Sequence, residues 1–67
     1  MPLILINGET QTLPDNVTIA EAIISLGLTG KRIAVECNGA IVPRSQHAHH
    51  SLREGDRVEI VAAVGGG

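Results

Sequence analysis

Thr18-Ile19-Ala20-Glu21-Ala22-Ile23-Ile24-Ser25-Leu26-Gly27 is the stretch that decides the fold, because it reads as a helix more clearly than any other part of the 67 residues. Thr18 precedes Glu21 by three positions, so its hydroxyl is placed to cap first-turn amides while the Glu21 carboxylate reaches back to the Thr18 amide. Ile19, Ile23 and Leu26 follow at i, i+4 and i+7, which puts three aliphatic side chains on one stripe. Gly27 is placed to end the helix in a left-handed conformation.

On either side of this helix the sequence reads as strand. Leu3 to Ile6 is uniformly aliphatic and runs into Asn7-Gly8, a pair that suits a tight hairpin because both residues tolerate positive φ. A second strand is expected over Thr10 to Leu13, closed by Pro14-Asp15-Asn16. Beyond the helix and a basic turn at Lys31-Arg32, Ile33 to Cys37 reads as a strand, Asn38-Gly39 as a second hairpin turn, and Ala40 to Val42 as a short return ended by Pro43. Ser45 to Ser51 is polar and lacks a period, so it reads as a loop or a short helical turn. Glu54-Gly55-Asp56 makes another turn, and Arg57 to Ile60 alternates polar with apolar before Val61-Ala62-Ala63-Val64 leads into Gly65-Gly66-Gly67. This order lacks the repeated βαβ units of a doubly wound fold. It predicts an α+β fold, a β-grasp roll in which a mixed sheet of about five strands packs on one main helix. Residues 1–64 are expected to form the domain and Gly65 to Gly67 a flexible tail.

Composition narrows the function. The chain is near the size at which a single hydrophobic core only just outweighs chain entropy, so a deep enclosed active site is not expected. With no Phe, Tyr or Trp, the core must be aliphatic, and there is nothing on which nucleobases could stack. The formal net charge is −2 and the bases are scattered along the sequence, which argues against nucleic-acid binding. Cys37 is the only cysteine, which excludes a disulfide framework and fits a reducing cytoplasm. The N-terminal apolar run lacks a basic flank and falls far short of the ~18 residues that span a bilayer, so neither a leader nor a membrane anchor is expected.

Taken together, Asn7-Gly8, Thr18 to Gly27, Ala34-Val35-Glu36-Cys37-Asn38-Gly39, Ile41-Val42-Pro43-Arg44-Ser45, Gly55 to Val61 and Val64 to Gly67 resemble, in order and spacing, the ThiS family. These are sulfur carriers of thiamine thiazole biosynthesis, a branch of the ubiquitin-like β-grasp proteins. The resemblance covers essentially the whole chain, although the tail has three glycines where the wider superfamily requires two, and the cluster His47-Ala48-His49-His50 is not a family feature.

The resemblance implies a carrier rather than an enzyme, with the C-terminal carboxylate of Gly67 as the working group. A ThiF-type adenylyltransferase would spend ATP to activate it, and a sulfurtransferase or cysteine desulfurase would supply sulfur. A ThiG-type thiazole synthase would consume the resulting thiocarboxylate, and no permanently bound cofactor is implied. Gly65 and Gly66, lacking Cβ atoms, suit entry into a narrow channel. Close alternatives are a molybdopterin-synthase small subunit with the same tail chemistry, a ubiquitin-like modifier joined to lysines, and a pure interaction module.

Several other residues are candidate sites. The first strand is apolar on both faces, and one helix covers only one of them. Leu3 and Leu5 therefore either dock partner proteins, together with Arg44 and Val64, or are covered by loops. His47, His49 and His50 lack a carboxylate or a second ligand segment, so no metal site is expected and a solvated loop is the expectation. Cys37, in a strand without a basic activator, reads as a structural thiol rather than a nucleophile.

Overall fold

A computed structural model of the chain describes residues 1–62. The expected domain end at Val64 and the tail Gly65 to Gly67 lie outside the described residues. Strands β1 (Leu3–Ile6) and β2 (Glu9–Thr12) are followed by helix α1 (Ile19–Ser25), then by β3 (Ile33–Cys37), β4 (Ala40–Val42), a single 3-10 turn at Arg44–Gln46, and β5 (Arg57–Ala62). The five strands form one sheet in the order β2-β1-β5-β3-β4. β1 and β5 are parallel at its centre and the other neighbours are antiparallel. This is the β-grasp arrangement expected from the element order.

Both Asn-Gly turns form as expected. Asn7 and Gly8 have φ of 49° and 84°, Asn38 and Gly39 of 53° and 86°, the positive pair that matches the right-handed twist of the flanking strands. Because the first turn has only these two residues between strands, Ile6 pairs directly with Glu9. β2 therefore starts and ends one residue earlier than the sequence reading placed it. Leu13 is still buried, just past the strand, where its amide donates to the Pro2 carbonyl.

Helix α1 carries the capping box in full. The Glu21 amide donates to Thr18 Oγ1 at 3.2 Å and the Thr18 amide to Glu21 Oε1 at 2.9 Å. At the other end the Gly27 amide donates to the Ile24 carbonyl and the Leu28 amide to the Ile23 carbonyl, the paired pattern of a Schellman motif closed by a left-handed glycine at φ 74°. Ile19 and Ala22 are buried against the sheet, with Ile23 and Leu26 packed at the edge of the core. Facing them are Ile4, Ile6, Val35, Val42, Val58 and Ile60 from four strands. Each such aliphatic side chain, fully buried, contributes about 1.5–3 kcal/mol, so a core without aromatic rings holds this small sheet together.

Segment 44–51 is where the sequence expectation needs correction. A solvated histidine loop was expected, and His49 is indeed exposed, but His47 is only 8 % exposed. Its Nε2 lies 3.0 Å from the Val42 carbonyl, so Nε2 carries the proton and donates. The backbone of the same segment receives two amides at the helix N-terminus, Ile19 N–H on the His50 carbonyl and Ala20 N–H on the His47 carbonyl, both at 3.0 Å. Those amides have no partner within the helix itself. The cluster is thus a clamp between β4 and α1.

Candidate functional site

The candidate site begins with the strand that leads to the C-terminal glycines. β5 is held on both sides over its first part, by β1 through Leu5↔Arg57 and Ile6↔Val58 and by β3 through five pairs from Cys37↔Val58 to Ile33↔Ala62. β1 turns away at Asn7, and there the Asn7 side chain takes over from the backbone. After the Asn7 amide donates to the Val58 carbonyl at 2.9 Å, Asn7 Nδ2 donates to the Ile60 carbonyl at 3.0 Å and Asn7 Oδ1 accepts from the Ile60 amide at 2.7 Å. A side-chain amide has the same donor and acceptor as a peptide group, so Asn7 extends the ladder by one more rung. Val61 and Ala62 beyond it are paired only with Ala34 and Ile33 of β3.

The start of β5 is anchored in a similar way. Asn38 Oδ1 accepts from the Arg57 amide at 2.9 Å, Asn38 Nδ2 donates to Asp56 Oδ1 at 3.0 Å, and Asp56 Oδ2 accepts from the Arg53 amide at 2.8 Å. Glu54 Oε1 accepts from the Leu3 amide at 2.7 Å. The sequence reading took Asn7 and Asn38 as turn formers and missed their role in fixing β5. The Asn-Gly spacing carries no signal for partners 18 to 53 positions away.

The outer face of the sheet, opposite the helix, presents Leu3, Leu5, Ile41 and Val61 around Glu36, Arg57 and Glu59. Leu3 is 45 %, Val61 55 % and Ile41 69 % exposed, while Leu5 is half-buried. Gly8, Asn38 and Gly39 of the two hairpin turns border a hollow on this face together with Leu5 and Arg57. Glu36 and Glu59 face each other directly across β3 and β5, a like-charge pairing that disfavours the sheet slightly. Arg44 is not part of this face. It is exposed on the 3-10 turn and borders a groove on the helix side with Lys31, Ile33 and His47. Val64, Gly65, Gly66 and Gly67 lie outside the described residues.

Cys37 is buried, with Asn38 Nδ2 at 3.7 Å from its sulfur. Burial first, and the negative charge of Asp56 second, push the thiol above its ordinary range. Such a thiol is a poor nucleophile near neutral pH, in keeping with a structural role. No group of three or more potential metal ligands comes together among the described residues, and no helix there is long and apolar enough to cross a membrane.

A family model described as the ThiS family matches residues 4–67, nearly the entire sequence. The chain belongs to the ThiS family. The solved thiamine biosynthesis protein ThiS from Geobacter metallireducens superposes on this ThiS-family chain with a TM-score of 0.84 at 25 % identity, covering 97 % of this chain and 99 % of that one. The chain is also 39 % identical over 64 residues to a thiazole synthase of Paramagnetospirillum magneticum and 34 % identical over 62 residues to one of Magnetococcus marinus. These matches cover 96 % and 92 % of the chain but only 20 % and 19 % of the two synthases, so the chain spans about a fifth of their length. An uncharacterized protein of Porphyra purpurea, ycf40, is 31 % identical over 64 residues, with 96 % of this chain and 90 % of that protein covered.

Proposed function

We propose that the chain carries sulfur on the C-terminal carboxylate of Gly67 and delivers it to a thiazole synthase. The observation that supports this most directly is that the ThiS family match runs through to Gly67. A carboxylate is a poor electrophile. In this reading a ThiF-type adenylyltransferase joins it to AMP at the expense of ATP, releasing pyrophosphate. A persulfide held on a sulfurtransferase or cysteine desulfurase then attacks the acyl carbon and AMP leaves, and a second thiol reduces the resulting acyl disulfide, closing a disulfide on the donor side. The product is a thiocarboxylate that a ThiG-type thiazole synthase consumes, returning the carboxylate. ATP is bound by the adenylating partner, the carrier itself holds no permanent cofactor, and the cycle takes place in the cytoplasm.

In the same reading the domain comprises residues 1–64, and Gly65 and Gly66 let the chain end pass through a narrow channel because they have no Cβ atoms. β5 aims that end, anchored by Asn7 and Asn38 at fixed points along its length. Leu3 and Leu5 on the outer face, with Arg44 and Val64 nearer the tail, contact the partner proteins. The two thiazole synthases that resemble this chain over about a fifth of their length support a thiazole synthase as the receiver.

The test is intact-protein mass spectrometry after incubation with the adenylyltransferase, ATP and a sulfur source, with a chain lacking Gly67 as control. A mass gain equal to replacement of one oxygen by sulfur, present only with the complete tail, is the expected result. No gain, with the enzyme active on a carrier of its own, defeats the proposal. Covalent adducts to other proteins in its place identify a modifier.

A further inference from the structure

The charges of this chain are scattered in sequence but sorted by the fold. β5 runs from Arg57 to Ala62, and Ala62 pairs with Ile33, the first residue of β3. Lys31 and Arg32 immediately precede Ile33 and therefore sit where β5 delivers the chain end. β4 runs antiparallel to β3 with Val42 opposite Val35, so Arg44, two residues further on, is carried toward the same end. Three of the five basic residues thus gather around the root of the tail, in a chain whose net charge is −2. Asp15, Glu54 and Asp56 lie at the opposite end of the sheet, Glu21 in the first turn of α1, and Glu36 and Glu59 on the outer face. Glu9 on β2 lies level with Val58, and Glu59, three residues before Ala62, is the acidic residue nearest this end along the strand. Lys31, Arg32 and Arg44 are all exposed. The one ion pair among the described residues joins the Met1 amine to Asp15, so none of the three cations is neutralised by a described carboxylate.

An apolar groove opens beside these cations. It has a volume of about 390 Å³ and is lined by Ile23, Ile24, Leu28 and Ile33, with Lys31 and Arg44 also on its wall. Ile24 is 64 % exposed although it lies on the helix, an aliphatic side chain with nothing of the described chain over it. Only residues 63–67 separate Ala62 from the reacting carboxylate, and fully extended they span at most roughly 17 Å. Any enzyme that acts on Gly67 must therefore rest against the surface around the root of the tail.

We propose that this rim is a docking surface for the acidic mouth of the channel through which the adenylating enzyme takes the tail. An aliphatic or aromatic side chain of the enzyme fills the groove, and carboxylates beside it meet Lys31, Arg32 and Arg44. The inference rests on the tail reading above and adds the chemistry of the surface that reads the carrier body. Opposite charges at the rim steer encounter and fix orientation more than they change the chemical step.

The test is steady-state pyrophosphate release with purified adenylyltransferase and ATP, at salt concentrations from about 50 to 500 mM. The carriers are wild type, K31E, K31E/R44E, the neutral K31Q/R44Q, and R53E, which carries the charge change of K31E at the far end of the sheet. These side chains are exposed, and thermal melts confirm that each variant is folded. K31E/R44E is expected to raise the carrier KM about tenfold at low salt, with the difference shrinking as salt screens the pairs, and to leave kcat within about twofold. K31Q/R44Q falls between, and R53E matches wild type.

A KM for K31E/R44E within about twofold of wild type at low salt overturns the inference, while loss of activation on deleting Gly67 still upholds the tail reading. A lower KM overturns it in another way, by showing that the cations hold the chain's own carboxylate back. A wild-type dimer in sedimentation that K31E/R44E dissolves overturns it in favour of a second copy on the rim. Failure of wild type to be activated at all overturns both readings.

Discussion

Replacing Asn7 by glycine isolates the two side-chain hydrogen bonds that extend the grip on β5. Asn7 sits at φ 49°, a conformation glycine adopts without strain, so the turn itself survives the change. The variant loses the 3.0 Å bond to the Ile60 carbonyl and the 2.7 Å bond from the Ile60 amide, both partly buried. Each contributes about 1 kcal/mol net. The extra freedom of glycine in the unfolded chain costs about 0.5–1 kcal/mol, roughly offset by relief of the asparagine's left-handed backbone. The expected loss is therefore about 2 kcal/mol, a large part of the roughly 3–10 kcal/mol available to a domain of this size. At about 4–8 °C per kcal/mol, the midpoint of thermal unfolding should fall by roughly 8–16 °C.

Hydrogen exchange adds a positional readout. The amides of Ile60, Val61 and Ala62 should lose protection in N7G more than those of Ile4 or Val35, because the upper part of β5 would then be held by β3 alone. N7D keeps the acceptor but sets a carboxylate oxygen against the Ile60 carbonyl, so it should be no more stable than N7G. A midpoint for N7G within about 3 °C of wild type would refute the reasoning, since on this scale less than 1 kcal/mol is then lost. The backbone pairing alone would account for the hold on β5.

Thr18→Ala should cost about 1 kcal/mol in urea denaturation through loss of the cap, whereas Glu21→Gln, which keeps an acceptor able to complete the capping box, should stay within a few tenths; equal losses would show that charge rather than the hydrogen bond matters there. His47→Leu should lower stability by about 1–3 kcal/mol because the Val42 carbonyl is left without its donor in a buried setting, and an unchanged urea midpoint would show that the ring contributes nothing. Burial holds the Cys37 thiol neutral to higher pH than in the unfolded chain, so the unfolded state releases that proton first and stability should decline as pH rises through and above the ordinary thiol range; Cys37→Ala should remove that part of the decline in melts from pH 7 to 10. Gly66→Ala and Gly67→Ala should impair activation far more than thermal stability, and parallel losses in both would contradict a tail that acts only in the partner's channel.

What could be read from the chain alone was local. The two Asn-Gly turns, the Thr18–Glu21 capping box and the Gly27 stop each involve residues within a few positions of one another, where backbone sterics and side-chain reach nearly dictate the outcome. The order of elements along the chain followed from their sequence, as did the likeness to a carrier family from the order and spacing of the same pieces, whereas the order of strands within the sheet came from the structure. Tertiary structure decided whatever depends on distant partners. His47 sits in a polar stretch and became core because Val42 offers a carbonyl at the right place. Asn7 became an anchor for β5 because the parallel pairing with β1 brings Ile60 beside it across 53 positions. Lys31, Arg32 and Arg44, scattered in the sequence, converge because antiparallel pairing returns β3 and β4 to the end where β5 leaves the sheet. Periodicity records which face of an element is apolar, but it carries no record of which remote group that element will meet, and in this chain those meetings fix both the hold on β5 and the charge around its last residue.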